Sequence, residues 1–103
     1  MRCRQREPIP EEVRRAADLL ERRWAFSILF ASFEGAARFN EYRAALGPVP
    51  PTTLTVRLTE LVAAGLLERR VLDTRPPGVE YRLTRRGKRF EPVLRELVRC
   101  TRN

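Results

Sequence analysis

The chain has 103 residues, 43% of them hydrophobic and 33% charged: enough apolar material for one small folded domain, with no room for a second. No apolar run approaches the roughly 20 residues of a membrane-spanning helix, and charges stand at the N-terminus where a signal peptide carries its apolar stretch, so a cytoplasmic protein is expected. The lack of histidine excludes imidazole general bases, triads and imidazole metal sites. Cys3 and Cys100 have no CxxC spacing, and the scattered glycines form no phosphate loop or dinucleotide fingerprint. A binding protein without metal or cofactor is expected, rather than an enzyme.

Twenty arginines and one lysine oppose eleven glutamates and two aspartates, for a net charge of +8. The excess is uneven: residues 1–64 carry a net +2 and residues 65–103 a net +6. A basic half of a small domain points to a polyanionic partner, most often nucleic acid.

Residues 1–10 read as an irregular basic arm, with Arg2, Arg4 and Arg6 ahead of Pro8 and Pro10, which block a helix. A first helix is predicted from Glu11, its stripe formed by Val13, Ala16, Ala17 and Leu20 at i, i+3, i+4, i+7. Arg22 and Arg23 are expected to close it at the negative end of its dipole. Trp24 to Phe33 is apolar almost all round, the pattern of a buried central helix, which makes Trp24 a core residue.

A short third helix is predicted from about Phe39 to Leu46. Gly47-Pro48-Val49-Pro50-Pro51 then forces a turn, and a fourth helix runs from Pro51 to Ala64 with Gly65 as its left-handed cap. Its apolar stripe is Leu54, Leu58, Leu61 and Val62; at 100° per residue Thr52, Thr53, Val56, Thr59 and Glu60 face the other way, with Arg57 on the flank. Helix, tight turn and helix over residues 39–64 is the helix-turn-helix pattern.

After Gly65 the period changes. Leu67 to Asp73 and Val79 to Leu83 read as strands joined by the turn Thr74-Arg75-Pro76-Pro77-Gly78, which makes residues 67–83 a wing with a basic tip. Thr84 caps a last helix over residues 84–102, with Phe90, Val93, Leu94, Leu97 and Val98 on one face and a kink expected at Pro92. The fold class is therefore mainly α with a small β wing, a winged helix-turn-helix in one domain spanning residues 1–103. A chain this small buries only about two-thirds of its unfolded surface. The long apolar stripe of the last helix and that of the first predict a homodimer joined through both.

Several strings resemble a known family: Ala16-Ala17-Asp18-Leu19-Leu20 followed by Trp24; Arg38-Phe39-Asn40-Glu41; Leu54-Thr55-Val56-Arg57-Leu58-Thr59-Glu60-Leu61; Gly65-Leu66-Leu67-Glu68-Arg69; and Pro76-Pro77-Gly78-Val79-Glu80-Tyr81-Arg82-Leu83-Thr84 running on to Gly87. From about Val13 to Val98 the chain resembles the HxlR-type winged-helix transcription regulators of bacteria and archaea. The resemblance implies a dimeric, sequence-specific DNA-binding regulator, with the fourth helix in the major groove and the wing beside the minor groove. The chain also departs from the family pattern. Glu11 stands where many members carry a cysteine, some of them using it for redox sensing. Glu21-Arg22 replaces the usual glycine pair before the tryptophan, and Thr52 and Val56 replace a frequent lysine and glutamine.

The candidate DNA-binding residues follow. Thr52, Thr53 and Thr55 offer hydroxyls to phosphates or base edges, and Val56 offers a methyl contact to thymine. Arg57 would grip guanine or phosphate, or instead an acidic neighbour in its own chain. Arg75, at the wing tip, suits a narrow minor groove; Arg69 and Arg82 suit phosphates, although alternate residues of a ribbon face opposite sides. A basic RNA-binding protein or a winged helix used for protein contact are the alternative readings. The dimer leaves room for a small-molecule effector at its interface. Cys3, between Arg2 and Arg4, and Cys100 read either as a redox pair or as an incidental arm thiol and a packing cysteine.

Overall fold

The elements run α1 (Glu11–Leu20), α2 (Ala25–Phe33), α3 (Phe39–Leu46), α4 (Pro51–Ala63), β1 (Leu67–Leu72), β2 (Gly78–Leu83), α5 (Arg85–Lys88) and α6 (Glu91–Cys100) in a computed structural model that describes residues 7–102. This is the mainly helical fold with a two-stranded wing that the periodicities predict. Among the described residues no helix is long and apolar enough to cross a membrane. The arm residues Arg2, Cys3, Arg4 and Arg6 lie outside the described residues.

Helix α1 starts where Pro10 requires. The proline carbonyl accepts the N–H groups of Val13 and Arg14 at 2.9 and 3.1 Å, and Glu11 and Glu12 occupy the positive first turn. The helix ends at Leu20 with Glu21 as its C-cap, so Arg22 and Arg23 follow in the turn just beyond its negative end rather than within its last turn. The chain instead reverses at Trp24, whose φ of 79° lies in the left-handed region that non-glycine residues seldom occupy. Arg23 supports this turn twice. Its guanidinium lies 5.2 Å from the indole centroid, and its carbonyl accepts the Arg57 Nε–H at 2.8 Å.

Helix α2 is the central helix, with Ala25, Ile28, Leu29, Ala31 and Ser32 buried. Around it close Tyr42 of α3, Leu54, Leu58 and Leu61 of α4, Leu66 and Leu67 at the entry to the wing, and Leu94 of α6. Trp24 is half-buried and packs on this cluster.

Glu41 sets the start of α3. Its carboxylate accepts the backbone N–H groups of Arg38 and Ala37 at 2.8 and 2.9 Å, which fills two donors that the helix end leaves open. Those two bonds hold its carboxyl below the ordinary carboxylate value. The same segment forms a third rung on the wing: Arg38 bridges Glu80, and the Tyr81 N–H donates to the Ala37 carbonyl at 2.7 Å.

Tyr42 completes the junction. It is fully buried, with its hydroxyl 2.9 Å from the Tyr81 carbonyl and 3.0 Å from Ser32 Oγ. A carbonyl only accepts, so the single phenolic proton goes to Tyr81 and the Ser32 hydroxyl supplies the second bond. Burial pushes the Tyr42 phenol above its ordinary value.

The end of the chain differs from the single kinked helix expected over 84–102. Thr84 does cap the segment, its Oγ1 accepting the Gly87 N–H at 3.0 Å. However, α5 stops at Lys88 and a separate α6 begins at Glu91 with Pro92 in its first turn. Proline lacks the N–H that would continue the ladder and its ring collides with the preceding turn, so it starts a helix more readily than it interrupts one. Gly87 is required where α5 passes the wing entry: a Cβ there would run into the Leu66 carbonyl.

Replacing Tyr42 by Phe would leave the Tyr81 carbonyl and the Ser32 hydroxyl without a buried partner. The expected loss is about 1–3 kcal/mol, a fall in melting temperature of about 4–8 °C per kcal/mol for a domain of this size. Because the folded-state pKa is raised, Tyr42 contributes proton-linked stability that is complete below its ordinary value of 10.0 and is lost as pH rises through the higher folded value. Melting of both proteins between pH 8 and 11 should therefore show the gap narrowing at the alkaline end; a constant gap would contradict this.

Candidate nucleic-acid interface

The turn between α3 and α4 is built by Gly47, at φ 80°, and by Val49, which is buried and anchors the loop in the core. Pro51 at the head of α4 has no N–H to lose, and no side chain caps this end. The outward face of α4 carries Thr52 and Val56, both exposed, with Thr59 and Ala63 continuing the same face toward the C-terminal end. Thr53 is half-buried beside it. The opposite face buries Leu54, Leu58 and Leu61, so burial of one stripe dictates which side chains face outward.

Two of the hydroxyls are turned inward along the helix. Thr55 Oγ1 donates to the Pro51 carbonyl at 3.1 Å, and Thr59 Oγ1 donates to the Thr55 carbonyl at 2.9 Å. Each therefore offers solvent only acceptor lone pairs and a methyl group. Arg57 is engaged within its own chain: Nε donates to the Arg23 carbonyl, and Nη1 lies 3.1 Å from Glu60 Oε1. Glu60 Oε2 in turn meets Arg22 Nη1 at 3.2 Å.

In the wing, β1 and β2 pair antiparallel with Arg69 opposite Tyr81, Glu68 opposite Arg82 and Arg70 opposite Glu80. Successive residues alternate faces, so Arg69 and Arg82 lie on opposite sides of the ribbon. The Arg82 side is largely self-neutralised: Arg82 pairs with Glu80 at 2.9 Å and Arg70 with Glu68 at 3.2 Å. The Arg82 hydrogen bond, aided by the charge of Arg38, holds the Glu80 carboxyl below its ordinary value. Arg75 is exposed in the turn at the tip, which Thr74 tightens by donating from Oγ1 to the Pro76 carbonyl at 2.9 Å. Arg75 thus lies in the turn beyond both strands and shares no ribbon face with Arg69 or Arg82. Cys100 is exposed at the end of α6; Cys3 lies outside the described residues.

Sequence reasoning missed the roles of Glu41 and Glu60. Glu41 sits three residues after the helix boundary, the position of a capping carboxylate, but Arg38 in place of Ser or Thr obscures the pattern. Glu60 leaves only half a local signal: Arg57 stands three residues before it on the same helix, but its second partner, Arg22, is 38 residues away.

A helix-turn-helix with an exposed reading face and a basic two-stranded wing defines the winged-helix class of DNA-binding regulators. A family model described as HxlR-like helix-turn-helix matches residues 19–103, and the chain belongs to that family. It is 39% identical over 83 residues to the uncharacterised HTH-type transcriptional regulator YvaP of Bacillus subtilis (strain 168), covering 81% of this chain and 77% of YvaP. It is 38% identical over 82 residues to sll1512 of Synechocystis, described in the same terms, covering 80% of this chain but 61% of that regulator. Among solved structures, the redox regulator HypR in its oxidised form superposes with a TM-score of 0.79 at 32% identity, covering 89% of this chain and 98% of HypR. Diamide-treated YodB of B. subtilis superposes with a TM-score of 0.76 at 30% identity, covering 88% and 90%. The chain is a DNA-binding transcriptional regulator by family.

Proposed function

We propose that the protein acts as a homodimer that reads a pseudo-palindromic operator, with α4 in the major groove and the wing tip at the flanking minor groove. The exposed Thr52–Val56 face of α4 carries this reading, because it presents methyls and hydroxyls rather than charges at the head of a helix placed outside the core. Thr52, Thr53, Thr55 and Val56 meet base edges or phosphates, Thr55 reaching a phosphate only by giving up its bond to the Pro51 carbonyl; Arg75 enters the minor groove, and Arg69 and Arg82 serve phosphates on either side of the ribbon. Arg57 contacts DNA only by exchanging its Glu60 partner for a phosphate.

The dimer rests on unpartnered apolar surface. Helix α1 buries none of its residues, Val13 is 46% exposed, and Val93 and Leu97 on α6 are 57% and 45% exposed. Two such stripes on terminal helices of a small chain are stabilised by burial against a second copy. Two-fold symmetry then sets the half-sites one helical turn apart or a multiple of it.

Filter binding with duplex DNA, single strands and structured RNA tests the reading as a whole; a preference for structured RNA would favour the RNA alternative, and no binding to any of them the protein-contact alternative. Val56→Ala or Thr53→Ala should change operator preference by about 1–3 kcal/mol per lost base contact. Arg75→Ala should weaken all duplexes together and flatten the log–log salt dependence by about 0.9 if it neutralises one phosphate. Equal scaling of operator and random duplex by both kinds of variant would overturn the division of labour.

Sedimentation should show a dimer that dissociates on dilution. A 12.0 kDa species at every concentration would exclude the proposed interface.

We assign the cysteines no switching role. Cys100 is exposed on the unpartnered side of α6, beside Val93 and Leu97, where a packing role suits it. Cys3→Ser should leave operator affinity and its response to mild oxidant unchanged. Oxidant-triggered DNA release that disappears in this variant would restore the redox reading.

A further inference from the structure

We propose that the cleft between α1 and the C-terminal half of α4 binds a small organic carboxylate, and that occupancy loosens the reading helix from the α1–α2 turn. The second clause rests on the assignment of α4 to DNA; the first does not.

The cleft has a volume of about 380 Å³, within the roughly 300–1,000 Å³ of small-molecule sites. Leu19, Ala25 and Leu61 give it an apolar wall, which suits a ligand with a hydrocarbon or aromatic body. Four guanidinium side chains line it, Arg15, Arg22, Arg57 and Arg86, against the carboxylates of Asp18 and Glu60. Glu60 spends one oxygen on Arg57 and the other on Arg22. Arg15 and Arg86 are exposed and make no ion pair among the described residues. The lining therefore carries a net +2, with two planar forks unengaged, and arginine is the side chain whose fork matches a carboxylate. Two resident carboxylates favour a monoanion over a more highly charged phosphate.

The cleft also stays open in the proposed dimer. At 100° per residue, Arg15 and Asp18 lie on the side of α1 opposite Val13, Ala16, Ala17 and Leu20, with Leu19 on the flank and Arg22 in the turn beyond the helix. A partner covering the second stripe leaves the first facing α4. A bound carboxylate would thus sit between the helix that joins the two copies and the helix that reads DNA. By competing with Glu60 for Arg22, it releases one of the bonds that tie the turn before α2 to α4. The expected consequence is weaker operator binding.

Calorimetry on the DNA-free protein tests the site, with benzoate as probe, benzamide as its neutral isostere and inorganic phosphate as a bare anion. Benzoate should bind saturably, and benzamide about tenfold more weakly or worse, as expected for loss of a charge-assisted pair. Arg15→Ala with Arg86→Ala changes two exposed side chains and should abolish benzoate binding while leaving the melting temperature near that of wild type. Benzoate that fails to saturate, benzamide or phosphate that binds as well, or a double variant that binds like wild type would each overturn the site. A fluorescence titration of operator DNA with and without benzoate then reads the coupling: DNA release in wild type but not in the double variant supports it. Unchanged DNA affinity despite bound benzoate would sink the coupling alone, whereas absence of any duplex binding would sink the assignment of α4.

Discussion

Residue 81 is held through both of its backbone polar groups, and the relation of wing to helix-turn-helix depends on that grip. Its carbonyl accepts from the buried Tyr42 hydroxyl on α3, and its N–H donates to Ala37, just ahead of the same helix. The free edge of β2 is thereby paired rather than left as an open template. One buried phenol and one backbone bond thus fix the distance between the helix-turn-helix and the wing, with Ser32 tying the pair back to the central helix.

The second constraint is electrostatic. A net charge of +8 suits a polyanion, but charge alone does not say which arginines are available to it. Glu68 and Glu80 engage Arg70 and Arg82 along one side of the ribbon, and Glu60 engages Arg22 and Arg57 beside α4. These pairs are partly exposed, where each contributes little to stability; their effect is to orient side chains. What stays unpaired among the described residues includes Arg69, Arg75 and the cluster Arg85, Arg86, Lys88 and Arg89 around α5. The basic excess of the second half of the chain is therefore divided between the wing and its base.

The family strings acquire physical meanings in this fold. In Arg38-Phe39-Asn40-Glu41 the glutamate closes the start of α3 by accepting two backbone N–H groups. In the string ending at Thr84 and continuing to Gly87, the threonine donates to the Gly65 carbonyl at 2.6 Å and caps α5. The glycine lets that helix pass against Leu66. One joint thus fastens the end of α4, the entry to the wing and the start of α5. The departures have consequences too: with Glu21-Arg22 in place of glycines, the left-handed turn at Trp24 is supported by Arg23 and Arg57.

Periodicity and punctuation were sufficient for α1 to α4 and for the ribbon, because each has a local cause: prolines at helix starts, glycines at Gly35, Gly47 and Gly65 where φ turns positive, and apolar stripes of helical spacing. The outward face of α4 was legible for the same reason, as the complement of Leu54, Leu58 and Leu61. The end of α1 was not, since its stop at Leu20 depends on a turn held by contacts from α4. The split between α5 and α6 was only half legible: Pro92 marks the place, but whether a proline bends a helix or begins one depends on what the flanking turns pack against. Nor could the sequence say that the Arg57 Nε is held by the carbonyl of Arg23, or that Arg15, Arg22 and Arg86 share a cleft. Those facts turn on partners tens of residues away, which local hydrogen bonding and hydrophobic spacing do not encode and which only the packing of α1, α4 and α5 brings within reach.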